Sequence, residues 1–514
     1  MGKYAMNRLL KSGAIFLSAA FVMGALFPQC GGLLDSDFEQ VNVPGFDAED
    51  QKEDHNDYSY SMEYFKADGA DEGYLYIGTL NNMGNLIGFY VETLMEGGDI
   101  LDAPIRPPEI RRYRPDRGPK EWERVFDYRD VESESNFQTI GFRFMTTIQT
   151  VDPDNEGATA TFLYAATQGE ESNLWRTKTG DYGDWENVFT FGELGGSIRW
   201  LDQLDGRIYA AVAFDSFGTR PPPGEVWVSD DGVDFRPIMQ DGFGVPNNRG
   251  VQAVIEYQGW IYAGTMNDVD GFEIWKLRPQ TPKSDEYEFV RVVSGGGPLS
   301  TNENAGMPYV FQDKLYFGTQ LYVAGINPTS GNAFHGCNII RINKDDSWET
   351  IVGPDSLSGY GPGFNHFTNS YLWWMEEYDG WLYASTFNQG TLLSGMLSNI
   401  ENVANFLPDP TAQVLLTIAG SVVDMYLDVE DFYRLTNAGG DIFKTPNGVD
   451  WYPVTMDGLG DPRNYGWRTM KASPDGYLYV GSANTTTGTQ VWRARVSMSD
   501  RIFRYLRQLF RFGT

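Results

Sequence analysis

Two of the chain's three histidines, His335 and His366, fall in loops of neighbouring repeats, and the cysteine Cys337 lies close to the first. Imidazole and thiolate bind metals, so this trio is the candidate metal site, although no Cys-x-x-Cys spacing accompanies it. Asparagines form a second set. Gly242-Phe243-Gly244 precedes Asn248, Gly359-Tyr360-Gly361 precedes Asn365, and Gly458-Leu459-Gly460 precedes Asn464. Asn-x-Gly recurs at Asn248, Asn304 and Asn464. Carboxamides around one opening could hold a sugar or an ion; equally, asparagine tolerates left-handed backbone and bonds its own turn, so turn chemistry also accounts for them. Trp373 and Trp374 add aromatic surface for a ligand. No nucleophile–base–orienter set and no phosphate-cradling glycine loop can be assigned.

These residues need a scaffold, and the repeats supply one. An apolar residue, Tyr, any residue and a small residue recur at Leu75–Gly78, Leu163–Ala166, Ile208–Ala211, Ile261–Gly264, Leu315–Gly318, Leu382–Ser385 and Leu478–Gly481. An aliphatic–aromatic pair follows in most repeats, as at Leu174-Trp175, Val226-Trp227, Ile274-Trp275, Ile442-Phe443 and Val491-Trp492. A third pattern, Trp or Phe followed three residues on by Val or Ile, appears at Trp122, Trp185, Phe235, Phe289, Trp348 and Trp451. Its remaining copy, Phe38…Val41, stands at the opposite end of the chain. Short strands between Gly, Asp and Asn turns, such as Asp379-Gly380 and Asp475-Gly476, make each repeat a four-stranded meander. One such sheet cannot bury both faces alone, and radial repetition buries them. The expected fold is therefore all-β, a seven-bladed β-propeller closed by the N-terminal strand.

Ser229-Asp230-Asp231-Gly232-Val233-Asp234-Phe235 resembles the Asp-box hairpin of sialidase-like propellers, and Thr445-Pro446-Asn447-Gly448-Val449-Asp450-Trp451 is similar to it. Both are one residue shorter than the family pattern. The resemblance spans about residues 58–496 and implies fold; the motif is structural. Sialidases hold a substrate carboxylate with three arginines, beside a Tyr–Glu pair and an Asp. Arg143, Arg199 and Arg468 lie on strands expected to line the axis, without that family's surrounding motifs, so Arg199 and Arg468 are carried only as ligand-binding candidates.

The outer segments read differently. Lys3, Arg8 and Lys11 precede an uncharged apolar run from Ala14 to Leu26, which suits the core of a signal peptide. Cys30 just beyond it resembles the lipidated cysteine of bacterial lipoproteins; plain cleavage near Ala25 is the other reading. The domain plan is then 1–30 signal peptide, 31–37 tether, 38–498 propeller and 499–514 tail. Within the propeller, residues 388–440 are a partly helical insertion in the sixth repeat, and residues 320–337 form a second long loop; both should cover the face that bears the asparagines. Residues 501–514 place Ile502, Phe503, Leu506, Leu509 and Phe510 on one stripe of a helix, with Arg501, Arg504, Arg507 and Arg511 opposite.

A net charge of −31 disfavours nucleic acid as a partner. Only two cysteines occur, so no disulfide framework exists. The reading that results is an exported, membrane-anchored binding or scaffold propeller, periplasmic or at the cell surface. Its partners would be a membrane, through the lipid and the basic tail, and a glycan or protein at the channel mouth. A carbohydrate-active hydrolase or lyase using the same mouth is the alternative. No cofactor is named by any motif.

Overall fold

The computed structural model of the protein describes residues 31–46, 55–81, 106–118, 120–132, 139–155, 157–169, 172–191, 196–214, 222–321, 335–391 and 437–496. The expected signal peptide with Cys30, most of both long loops and the 499–514 tail lie outside these residues.

Strands are the regular structure of the described chain, apart from a few short helical turns. They pair antiparallel in chain order as four-stranded meanders. The first comprises β2 (Asn56–Phe65), β3 (Tyr74–Asn81), β4 (Glu109–Tyr113) and β5 (Trp122–Asp127). The next comprises β6 (Thr139–Val151), β7 (Thr159–Gly169), β8 (Ser172–Thr177) and β9 (Glu186–Phe191). Then follow β10 (Gly196–Leu204), β11 (Arg207–Phe214), β12 (Glu225–Ser229) and β13 (Phe235–Met239). After these come β14 (Gly250–Tyr257), β15 (Trp260–Met266), β16 (Ile274–Pro279) and β17 (Tyr287–Val293). The pattern continues through β18 (Asn304–Phe311), β19 (Lys314–Gln320), β20 (Ile339–Ile342) and β21 (Trp348–Val352). Another meander holds β22 (Asn369–Tyr378), β23 (Trp381–Asn388), β24 (Ile442–Thr445) and β25 (Tyr452–Thr455). The last holds β26 (Gly466–Ala472), β27 (Leu478–Ala483) and β28 (Val491–Ala494). Its fourth strand is β1 (Phe38–Gln40), with Phe38 opposite Ala494, Glu39 opposite Arg493 and Gln40 opposite Trp492. Leu33, in the stretch expected to be a tether, is instead fully buried: its N–H donates to the Tyr383 hydroxyl at 2.8 Å, and Lys444 Nζ donates to its carbonyl at 2.6 Å.

The first strands of these sheets contact one another in a closed circuit, β2 to β6, β10, β14, β18, β22, β26 and back to β2. This is a β-propeller, with those strands around the axis. Most hydrophobic clusters lie between the faces of two adjacent sheets, as where Phe144, Ile148 and Phe162 meet Ile198, Leu201 and Ile208, while one around Tyr58, Trp373 and Tyr465 joins three sheets near the axis. The second strand of each sheet is therefore covered on both faces, and β19, reading Lys-Leu-Tyr-Phe-Gly-Thr-Gln, is buried from Leu315 onward. The small residue after each motif tyrosine now has a cause. A Cβ on Gly78 would strike Phe142 of the next sheet, one on Gly318 would strike Leu372, and one on Gly481 would strike Ser59.

Several motif tyrosines point outward to the next sheet's third turn, whereas Tyr479 donates to Asp475 of its own sheet. Tyr164 donates to the carbonyl of Gly232 at 3.2 Å, and Tyr262 to the Asp346 carboxylate at 2.8 Å. Those turns are self-bonded. Ser229 Oγ accepts from the Gly232 N–H at 2.8 Å, and Asp231 Oδ1 accepts from Val233 and Asp234, each at 2.9 Å. Thr445 and Asn447 repeat the arrangement around Gly448.

Candidate functional site

Pairing of the first two strands in each sheet is interrupted by a bulge at a corresponding place. The ladder skips Tyr60 in β2, Arg143 in β6, Arg199 in β10, Gln252 in β14, Trp373 in β22 and Arg468 in β26. In β18 it skips Met307 and Pro308. A bulge adds a residue to one strand and re-aims its side chain. Repeated around the axis, it gathers one side chain of different chemistry from each sheet.

Arg468, Tyr60 and Arg143 come from consecutive sheets. The guanidinium of Arg143 lies 5.1 Å from the Tyr60 ring centroid and that of Arg468 lies 5.0 Å from it. Arg143 donates to the Tyr60 hydroxyl and, at 3.1 Å, to Gln168 Oε1, which also accepts from Tyr60. Arg468 is 4% exposed, sits 5.7 Å from the Trp373 ring, and leaves Nη1 without a hydrogen-bond partner among the described residues. Burial first, and then the neighbouring charge of Arg143, push its pKa down to about 9. Above this arc stands an aromatic wall in which Tyr465 donates to the Tyr58 hydroxyl at 2.7 Å and Trp373 packs on Tyr58 and Phe387.

One step further along the axis, Trp200 stacks on Trp374 at 5.5 Å and packs at a tilt against Phe144 at 4.7 Å. Trp200 and Trp374 belong to sheets that are not neighbours, so their contact spans the channel. Beyond it lies a charged layer. Lys471 Nζ meets Glu63 Oε1 at 2.7 Å, and the Ala472 N–H donates to Glu376 Oε1 at 3.0 Å. Burial disfavours the Lys471 charge, yet Glu63 and Glu376 hold its pKa above the usual range. Burial pushes Glu376 up to about 7. An acid that titrates higher in the fold than in the unfolded chain stabilises the fold fully below its ordinary pKa and loses that contribution as pH rises through the folded value. Glu376→Gln should therefore flatten the stability profile between pH 5 and 8 and be the more stable form at pH 8, by up to about 3 kcal/mol; denaturant melts at a series of pH values measure this.

The structure places the expected asparagines in the loop framework. Asn248 is fully buried, donating to the Gly242 carbonyl and to Glu273 Oε2, both at 2.9 Å, while its Oδ1 accepts from Asn267 at 3.0 Å. Asn464 makes the same bonds to Gly458, Gln490 and Asn484. In the other two sheets the corresponding residues are Asn302, bonded to Gly296 and Asn338, and Asn369, bonded to Gly363 and Asp441. Asn304 and Asn365 are thus out of register: Asn304 opens β18, and Asn365 is an exposed left-handed cap that accepts from the Gly361 N–H at 2.7 Å. Each buried asparagine fastens the entry loop of its sheet to the start of the third strand. A threonine or serine completes the fastening: Thr79, Thr167, Thr265, Thr319, Thr386 and Ser482 accept from the backbone N–H at that start.

His366 joins this fastening, its Nδ1 lying 3.2 Å from Asp441 Oδ2. His335 is 2.5 Å from Thr301 Oγ1, and burial lowers its pKa. Cys337 is buried, which pushes its thiol up. No group of three or more His, Cys, Asp or Glu side chains converges on one point among the described residues. The structure thus brings Arg199, Arg468 and Trp373 together on the axis and leaves His335, His366 and the asparagines in the loop framework. Tyr60 and Gln252 were not foreseen, because a bulge breaks the alternation by which a strand is read.

No family model matches the chain, and no curated protein matches it. Solved structures resemble it only weakly. One is YCF48 bound to D1 peptide, at 9% identity over 90% of this chain and 97% of that one, with a TM-score of 0.42. Another is an α-L-arabinofuranosidase of Fusarium graminearum in complex with an iminosugar inhibitor, at 8% identity over 90% and 98%, with a TM-score of 0.37. A third is an α-L-arabinofuranosidase of Clostridium thermocellum, at 13% identity over 55% and 81%, with a TM-score of 0.28. At these levels the similarities bear on neither activity nor ligand.

Proposed function

We propose that this chain is a seven-bladed propeller that acts as a binding or scaffold protein, taking its ligand at the channel mouth above the bulged residues. We propose further that it is exported and held at a membrane by Cys30, with the basic 501–514 segment as a second contact. The observation behind the binding reading is the bulge ring itself. Tyr60, Trp373, Arg143, Arg199, Arg468 and Gln252 offer aromatic faces and hydrogen-bond donors on one level of the axis. A site of this kind holds a ligand by stacking and directed bonds. The hydrolase alternative needs two carboxyl groups flanking one bond. The carboxylates of Glu63 and Glu376 lie past the Trp200–Trp374 stack, which favours binding.

The test is a glycan and peptide array probed with the full chain, followed by titration of any hit against Trp373→Ala. A buried tryptophan at a binding centre contributes about 2 kcal/mol or more, so affinity should fall at least about thirtyfold. A hit that binds Trp373→Ala unchanged, and whose contacts map to the turns around Gly232 and Gly448, would overturn the reading.

A further inference from the structure

The arc formed by Arg468, Tyr60 and Arg143 has a property that binding of a neutral ligand does not require. Among the described residues, neither arginine forms an ion pair. Many other arginines of this acidic chain are paired: Arg112 with Glu123 and Asp181, Arg207 with Asp230, Arg236 with Asp285 and Asp230, and Arg341 with Glu349. Arg468 is among the most deeply buried of them, and its Nη1, like Arg199 Nε, has no acceptor among the described residues. Taking a guanidinium out of water is costly, and attraction to two aromatic rings offsets little of that cost. Placing a second guanidinium across the same tyrosine ring adds repulsion. A chain with 70 acidic residues has ample carboxylates to neutralise such a pair, and none of the described ones does so.

We propose that this arc is an anion site: the Arg468 and Arg143 guanidinium groups together hold one oxyanion group of the ligand that enters at the channel mouth. The proposal rests on the binding reading above and narrows its ligand to one bearing a carboxylate, sulfate or phosphate. The unsatisfied Nη1 of Arg468 supplies one donor, and the fork geometry of a guanidinium suits all three groups. Tyr60 fixes the spacing between the two cations, because both guanidinium groups rest against its ring. Trp373 and the Tyr58–Tyr465 pair stand beside the anion position, where they would meet the uncharged body of the ligand. The Trp200–Trp374 stack closes the channel beneath, which keeps the site on the mouth side and away from the Glu63–Lys471 layer. The depressed pKa of Arg468 agrees with a cation held without its counter-charge.

The experiment measures the melting temperature of the full chain in acetate, sulfate or inorganic phosphate against chloride, at constant ionic strength and pH 7. At least one oxyanion should raise it by several degrees in a saturable way, and the anion with the largest rise identifies the class. Arg468→Met should abolish that rise, and without anion it should melt no lower than the parent, because an uncompensated charge has been removed. If Arg468→Met does not fold, Arg143→Met decides by the same loss of response. Absence of any oxyanion effect beyond chloride overturns the anion site, as does an undiminished effect in both variants. If neutral ligands still bind and lose affinity in Trp373→Ala, the binding reading stands while the anion site falls. If anions bind but no array ligand depends on Trp373, the anion site stands and the wider reading falls.

Discussion

The chain lacking residues 31–43 should melt about 10 °C below the full chain, or fail to fold. This segment contributes the last sheet's outer strand, and it also buries Leu33, Phe38 and Val41. Each such side chain contributes roughly 1.5–3 kcal/mol when buried, which places the loss near 5–8 kcal/mol as an upper bound. Total stabilities are only about 5–15 kcal/mol. The deletion also removes the backbone bond from Val41 N–H to the Val491 carbonyl, the bond from the Val491 N–H to Asn42 Oδ1, and the Glu39–Arg493 ion pair at 2.6 Å. Calorimetry of the two chains gives the difference. A permutant that starts at residue 55 and continues from 496 through a flexible linker into residues 31–46 should recover the parent's melting temperature, since the strand is restored by a new route. Equal melting of the deletion and the parent would show that β1 adds nothing to closure.

Asn248→Ala should cost about 3–4 kcal/mol without altering the affinity of a channel ligand. The mutation leaves the Gly242 carbonyl with only the long bond from the Val245 N–H at 3.3 Å and removes one donor to Glu273, whose buried carboxylate is otherwise held by Trp275 Nε1 and Arg291 Nη1, each at 2.9 Å. Unsatisfied buried polar groups cost about 1–3 kcal/mol each. Asn464→Ala should behave alike. Asn304→Ala should cost less than about 0.5 kcal/mol, as a substitution outside such a network. Asn365→Ala should cost about 1 kcal/mol, through the lost Gly361 bond and the left-handed backbone. Urea melts of the four variants test the ranking. Similar losses at all four positions would undo the distinction between the fastened asparagines and the other two.

What could be read from the chain beforehand follows from which residues the packing repeats. The motif tyrosines are all buried, because each second strand sits between two sheets, and that shared environment imposes one pattern. The Trp-x-x-Val strands recur for a similar reason at the outer edge. The axis-lining strands share no such pattern. Their bulges shift the alternation, and each points its extra residue at a common space that can hold a tyrosine, an arginine or a tryptophan alike. The asparagines were visible but misregistered. Spacing from the following glycine groups Asn248, Asn304 and Asn464, whereas the bond that matters runs backward over six residues, as in Gly296…Asn302 and Gly363…Asn369. The threonine three residues after the motif tyrosine was equally legible in the sequence. A serine stands there at Ser482, and the hydroxyl is missing only where Val212 takes its place.

The tyrosine contacts between sheets run in one direction. Tyr164 reaches forward to the Gly232 turn, Tyr262 forward to Asp346, and Tyr383 forward to Leu33, beside the strand that enters from the other end of the chain. Each sheet is thus a plug on one side and a socket on the other, the head-to-tail kind of interface that generates rings when the rotation closes and open chains when it does not. A single repeat copied or deleted during the gene's history would keep every plug matched to a socket, but it would change the rotation needed to return to the start. The covalent order of the chain leaves that count free. The bulged side chains that meet on the axis must fill whatever width that rotation leaves, which ties their size to the number of sheets.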